Sequence, residues 1–154
     1  MKPPAHEPIG RDLARTAKLV GQHFDAALGS EGGSQAMWMV LISLKTHPGA
    51  NQRQVARAAG IEGATLTHHL NAMEEAGLVT RRRDRANRRI HVLELTEEGE
   101  AVFARLAKAA TAFDRRLRAG ISERDLTTAR SVFAKLRHNV EQESEPAEAT
   151  GAGT

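Results

Sequence analysis

The chain has 154 residues, 40% of them hydrophobic and 27% charged, which is the composition of a soluble globular protein with a core of its own. It contains no cysteine, which excludes disulfides, cysteine-ligated zinc and thiol redox chemistry. The formal net charge is only +3, but basic residues dominate between Asn51 and Arg89, and such clustering sets the local field. No apolar run is long enough to span a bilayer and the N-terminus has no signal-peptide core, so we expect a cytoplasmic protein with no membrane partner.

The first third of the sequence predicts two helices. Apolar residues recur at three- and four-residue steps from Ile9 to Leu28, which indicates an amphipathic helix that ends at the glycines of LGSEGGS. Ser34 is a typical N-cap for a second helix, QAMWMVLISLK, whose nearly continuous apolar surface predicts a central position. The segment THPGA ends this helix, because proline cannot continue it.

The next segment has the pattern of a helix-turn-helix. Asn51 and Gln54 have the spacing of a capping box and open a short helix that Gly60 breaks. Helical spacing resumes in GATLTHHLNAMEEA and ends at Gly77. A helix, a tight turn with glycine and a second helix are the layout of this DNA-binding motif.

A β-hairpin and two further helices follow. LVTRRR and RIHVLEL alternate and are joined by the polar turn DRAN, which predicts an antiparallel hairpin. Thr96 is expected to cap a long helix, and Ser122 is expected to open a final helix that runs to Val140. The acidic stretch from residue 142 to residue 154 is rich in small residues and is predicted to be a disordered tail.

This order predicts a mainly α-helical protein with one small β-hairpin. Residues 34–95 would form a winged helix-turn-helix, embedded in an all-helical dimerisation body of residues 8–30 and 97–141, within a single domain over 1–154. The first and last helices carry more apolar stripe than this small middle unit can cover. We therefore expect them to pack against a second copy of the chain.

Three stretches resemble the MarR family of transcriptional regulators: GIEGATLTHHLNAMEEAGLV, the wing RRRDRANRR and the following VLELTEEG. The element order is similar from about Ile9 to Val140. The resemblance implies a homodimeric transcriptional repressor that binds double-stranded DNA at a palindromic operator and is released by a small aromatic or lipophilic effector. Half-sites would then lie about 10 bp apart. One departure is Asn87, which stands where the family wing commonly has a second aspartate, so we expect a more electropositive wing tip.

The second helix of the helix-turn-helix is the candidate reading helix. At about 100° per residue, Leu66, Leu70 and Met73 lie on the core side. The opposite face would enter the major groove, and it consists of Ala64, Thr65, His68 and Asn71. Asn71 is expected to pair with adenine, Thr65 to contact the thymine methyl group and His68 to reach a base acceptor. The alternative is that these are ordinary polar surface residues.

The reading face has no lysine or arginine, so the charge that neutralises phosphates is expected from the wing. Arg85, Arg88 and Arg89 at the wing tip are predicted to contact the minor groove or its phosphates. Arg81 and Arg83 share a strand face and are predicted to contact the DNA backbone. The alternative is a solvated wing that makes no contact.

The resemblance also implies an effector pocket between the dimerisation helices and the DNA-binding lobe, lined by His23, Phe24 and Trp38; plain core packing is the alternative for Trp38. His68 and His69 point about 100° apart on a helix, so they do not chelate one metal ion. No catalytic motif is present, and we expect no metal, no cofactor and no enzymatic activity. The remaining alternative function is a winged-helix module that binds protein or RNA without recognising an operator.

Overall fold

The computed structural model of the protein describes residues 8–85, 87 and 90–142. The elements follow the order α1 (Ile9–Gly29), α2 (Gln35–Thr46), α3 (Gln52–Ala59), α4 (Gly63–Glu75), β1 (Val79–Arg83), β2 (His91–Leu95), α5 (Glu97–Leu117) and α6 (Glu123–Gln142). This confirms the predicted mainly helical winged helix-turn-helix. The chain divides into two compact units, and the boundary between them along the sequence falls between Arg115 and Arg116, inside α5. The predicted single domain over 1–154 stays a prediction.

Helix α2 lies at the centre of the first unit. It contacts α1, α3, α4 and β2, and its residues Val40 and Leu41 are completely excluded from solvent. Leucines from three other helices complete this core: Leu28 of α1, Leu66 and Leu70 of α4, and Leu106 of α5. The predicted central position of α2 is therefore confirmed, and it follows from an apolar surface that no single neighbour could cover.

The two ends of α3 are fixed by local chemistry. At its start, the Asn51 side chain accepts a hydrogen bond from the Gln54 backbone N–H at 3.0 Å, and the Gln54 side chain accepts one from the Asn51 backbone N–H at 2.9 Å. At its end, Gly60 has a φ of +65°, a left-handed conformation that glycine adopts without steric cost. The Ile61 N–H then bonds to the Ala56 carbonyl at 3.1 Å, and Ile61 packs against the core. The turn between the two helices is thus specified by residues within it.

Four residues connect the end of α4, the hairpin and the start of α5, and we term them the Gly77–Gly99 junction. Gly77 has a φ of +70° and turns the chain into β1. Thr96 donates its hydroxyl to the Gly77 carbonyl at 2.6 Å and its backbone N–H to the Leu78 carbonyl at 3.1 Å. The same hydroxyl accepts the Gly99 N–H at 3.0 Å, which caps α5 as predicted. Gly99 lies so close to the Leu78 carbonyl that a Cβ atom has no room there.

The wing is an antiparallel hairpin in which Val79 lies opposite Leu95 and Arg83 lies opposite His91. Its first strand is one residue shorter than predicted, because the backbone N–H of Leu78 bonds to the end of α4. The second strand is also tied to the turn before α3, since the Leu93 N–H donates to the Ala50 carbonyl at 3.0 Å. The base of the wing is therefore held by the end of α4 and by the turn that precedes α3.

The second unit contains α6. The Ser122 hydroxyl accepts the Asp125 N–H at 3.1 Å and donates to the Asp125 carboxylate at 2.7 Å, which confirms the predicted start. The helix continues through Gln142, so the predicted start of the tail at residue 142 is wrong by one residue. The rest of the predicted tail, residues 143–154, lies outside the described residues. None of the described helices is both long enough and apolar enough to span a membrane.

Candidate nucleic-acid interface

Helix α4 has a buried face and an exposed polar face, as its sequence predicts. Its core side is formed by Leu66, Leu70 and Met73, none of which exposes more than 3% of its surface. The four predicted reading residues are all exposed: Ala64, Thr65, His68 and Asn71. The structure therefore brings these residues together on one face. A side chain that reads a base edge must be solvent-accessible in the free protein, and these four are.

Helix α3 holds the first turn of α4 in place. The Gln52 side chain donates from Nε2 to the Thr67 hydroxyl at 2.6 Å, and that hydroxyl donates to the Gly63 carbonyl at 2.9 Å. Because Gly63 is the first residue of α4, this chain of bonds fixes the N-terminal turn of the helix relative to α3. A reading helix that docks with its N-terminal residues first benefits from such a fixed start.

Arg81 of β1 is folded back onto α4. Its Nη2 donates to Oδ1 of Asn71 at 2.9 Å, and its Nη1 forms an ion pair with Glu74. Only 25% of its side chain is exposed. The charge of Arg81 is thus already compensated within the chain. The sequence predicts instead that Arg81 contacts the DNA backbone, for which its guanidinium would have to be free of such a partner.

Arg82 is compensated as well, on the other face of the hairpin. Its Nε donates to Oε2 of Glu94 at 3.1 Å, and a second guanidinium nitrogen pairs with the same carboxylate. The hydrogen bond from Arg82 holds the pKa of Glu94 below its ordinary value, because it stabilises the ionised carboxylate. The same bond raises the pKa of Arg82. The base of the wing therefore carries two arginines but little net charge.

The tip of the wing differs from its base. Arg83 and Arg85 are exposed, and neither makes an ion pair within the part of the chain that the structure describes. Asp84 accepts the backbone N–H of Asn87 at 2.7 Å, which closes the turn. The predicted contact residues Arg88 and Arg89 lie outside the described residues. The available positive charge of the described wing is thus concentrated at its tip.

Two further arginines on α3 were not among the predicted site residues. Arg53 and Arg57 are exposed and, among the described residues, have no ion-pair partner. They are four positions apart, so they lie on one face of the helix. The first helix of a helix-turn-helix crosses the DNA backbone. The sequence signal that could have identified them is this basic pair on the first helix of the motif.

The three predicted effector residues lie in different surroundings. His23 is exposed, whereas Phe24 and Trp38 are half-buried against the core. The Phe24 ring packs on Phe113 with centroids 5.2 Å apart, and the Trp38 ring stacks on Phe103 with centroids 5.5 Å apart. Phe24 and Trp38 thus each belong to a different aromatic pair. Their place in an effector pocket stays a prediction.

Known proteins of similar sequence and structure cover most of the chain. The model of the MarR family matches residues 34–91. The transcriptional repressor CouR, solved bound to a 23-mer DNA duplex, is similar at 30% identity and a TM-score of 0.77 over 84% of this chain and 92% of its own. The transcriptional regulator PA3341 is similar at 30% identity and a TM-score of 0.77, over 88% of this chain and 99% of its own. A MarR-family regulator from Rhodococcus sp. RHA1 is similar at 26% identity and a TM-score of 0.74, over 88% and 96%. The chain therefore belongs to the MarR family and is a DNA-binding transcriptional regulator.

Proposed function

We propose that the chain acts as a homodimer that represses transcription from a palindromic operator. In this proposal α4 of each protomer reads one half-site in the major groove, and the half-sites lie about 10 bp apart. The observation that carries the proposal is the exposed polar face of α4 beside a wing whose uncompensated arginines lie at the tip. The similar repressor CouR supports it, since a 23-mer duplex is long enough for two such half-sites.

The proposed contacts divide into two kinds. Thr65, His68 and Asn71 read base edges, and the small side chain of Ala64 lets the helix approach the groove closely. Arginines supply the phosphate contacts, which set affinity and salt dependence: Arg53 and Arg57 on α3, and Arg83, Arg85, Arg88 and Arg89 on the wing. Because α4 lacks cations, sequence recognition and charge neutralisation fall on separate elements.

The exposed apolar residues support the dimer. Helix α1 exposes Ile9 by 62% and Leu19 by 55% in the single chain. In the second unit no residue of α6 is buried, although the helix contains large apolar side chains. Those of Val132, Phe133 and Val140 are all exposed in the single chain. Most of the stability of an amphipathic helix comes from packing its apolar face, so this 20-residue helix needs another surface to cover its apolar stripe. A second copy of the chain supplies such a surface by symmetry.

A small aromatic or lipophilic effector that releases the operator is part of the proposal. The half-buried rings of Phe24 and Trp38 offer apolar contact area, and the exposed His23 offers a polar group next to Phe24. An effector that binds one spacing of the two reading helices more tightly than the other would shift the population away from the DNA-binding spacing.

The test of this function is selection of bound duplexes from a random pool, followed by gel-shift titration of the selected sequence. We expect a palindrome whose half-sites are about one helical turn apart. A mixed-sequence duplex and an RNA duplex of the selected sequence serve as competitors, and both should compete weakly. Equal affinity for all three would contradict the proposal and would favour a general nucleic-acid-binding role.

Replacing Arg83 by glutamine is expected to weaken binding to every duplex and to flatten the salt dependence. Each lost phosphate contact changes the slope of log K against log salt by about 0.9, so a dimer that loses two contacts changes it by about 2. The matched control is the double variant Arg82→Gln, Glu94→Gln, which removes an internally neutralised pair from the same hairpin. The slope of the control should stay close to that of the wild type. An unchanged slope for Arg83→Gln would remove Arg83 from the phosphate contacts.

A further inference from the structure

We propose that Arg81 is a positioning residue that turns the Asn71 amide so that its NH2 group faces the DNA. Asn71 would then act as a hydrogen-bond donor to a base and would read acceptor groups. This inference rests on the proposed function, because it requires α4 to lie in the major groove. It replaces the expected bidentate pairing of Asn71 with adenine by a different specificity.

The orientation follows from the hydrogen-bonding capacity of the two groups. A guanidinium has five N–H donors and no acceptor, so the amide atom that faces it must be the carbonyl oxygen. Nη2 of Arg81 and Oδ1 of Asn71 are 2.9 Å apart. The two substituents of an amide carbon point in different directions, so Nδ2 is directed away from Arg81. Because Asn71 is exposed, that NH2 group is accessible to a base.

Arg81 is itself held firmly enough to impose this orientation. Glu74, three residues beyond Asn71 on α4, pairs with the other terminal nitrogen of the guanidinium. The strand position of Arg81 is fixed by its pairing opposite Leu93, which is buried. A planar guanidinium held by a carboxylate and by a strand loses little further entropy when it binds the amide. The wing thus sets the rotamer of a residue on the reading helix.

The consequence for base preference is direct. Bidentate recognition of adenine needs the amide oxygen to accept from N6 and the amide nitrogen to donate to N7. With Oδ1 engaged by Arg81, Asn71 offers mainly its donors to the groove. Guanine, with acceptors at O6 and N7, and thymine, with an acceptor at O4, satisfy a donor. Adenine satisfies it only at N7 and loses the second bond, from N6 to the amide oxygen, so its advantage falls. Cytosine presents its N4 donor at this edge and is disfavoured.

The first test is the variant Asn71→Asp, with binding-site selection compared against the wild type. A carboxylate keeps an acceptor for Arg81 but presents an oxygen in place of the NH2 group. At one position in each half-site we expect the preference to move from guanine or thymine towards cytosine or adenine, by roughly fivefold to tenfold in relative affinity. Selection reports relative preference, so a general loss of affinity caused by the added negative charge does not obscure the result.

The second test is Arg81→Met, which releases the Asn71 amide without changing Asn71. We expect the relative preference for adenine to rise at the same position, because the released amide oxygen can then accept from N6. The salt slope should stay unchanged because Glu74 already compensates the charge of Arg81. The matched control is Arg83→Met, for which the slope should flatten and the base preference should stay as in the wild type. A merely structural role for Arg81 would lower the unfolding temperature without altering the base preference.

The outcomes separate this inference from the proposed function. If the wild type selects an operator but Asn71→Asp and Arg81→Met keep its base preference at every position, the inference is overturned and the operator function stands. If the wild type selects no sequence, the proposed function fails, and the inference fails with it.

Discussion

Replacing Phe133 by glutamate is expected to convert the proposed homodimer into monomers and to abolish tight binding of the proposed operator. Phe133 is 43% exposed in the single chain and lies on the apolar stripe of α6, which the proposed dimer covers. An unpaired carboxylate buried in an apolar interface is strongly unfavourable, so the interface should not form. A monomer loses the gain from engaging two half-sites together, which amounts to roughly a hundredfold or more in affinity.

Sedimentation velocity and gel-shift titration of the selected operator measure these two effects. The matched control is Ser131→Glu, which places the same charge on α6 about 160° away from Phe133. It should remain dimeric and bind the operator like the wild type. A Phe133→Glu variant that stays dimeric at micromolar concentration would show that α6 does not form the interface.

Replacing Gly99 by alanine is expected to lower the free energy of unfolding by about 3 kcal/mol. The added Cβ atom would overlap the Leu78 carbonyl, which is backbone and already accepts the Thr96 N–H. Relief requires a shift of either the start of β1 or the first turn of α5. The loss should therefore exceed the gain in helix propensity of about 1 kcal/mol that the substitution otherwise brings.

Urea unfolding followed by far-ultraviolet circular dichroism measures this change. Gly63→Ala is the matched control, since Gly63 is also in the first turn of a helix but has open space where the Cβ atom would be placed. The control should be as stable as the wild type or slightly more stable. Equal stability of Gly99→Ala and the wild type would mean that the Gly77–Gly99 junction is not a tight contact.

Most of the fold could be predicted because its determinants are local. The capping box of Asn51 and Gln54, the N-cap at Ser34 and the glycine at position 60 each act on residues a few positions away. The exposed face of α4 was predictable for the same reason, since helical periodicity alone separates Leu66 and Leu70 from His68 and Asn71. These features need no knowledge of what packs against the helix.

The charge distribution of the wing could not be predicted in this way. Strand alternation correctly placed Arg81 and Arg83 on one face, but it does not reveal that the end of α4 lies beside Arg81. Glu74, the partner of Arg81, is on another element. The pair between Arg82 and Glu94 can be inferred only when the register of the hairpin is known. Each of these partners lies on a different element from its arginine. Only the three-dimensional structure therefore shows that the arginines at the base of the wing are neutralised, whereas Arg83 and Arg85, among the described residues, have no ion-pair partner.

The aromatic contact between α2 and α5 has a spectroscopic consequence. Trp38 is the only tryptophan and the chain has no tyrosine, so fluorescence excited at wavelengths beyond the absorption of phenylalanine comes from a single indole ring. That ring is stacked on Phe103, whose own ring centroid lies 5.5 Å from the ammonium of Lys45. Lys45 is held there by Glu100 of α5, at 2.9 Å. Emission intensity and wavelength therefore report on the contact between these two helices, and the protein carries an intrinsic optical label at that position without any chemical modification.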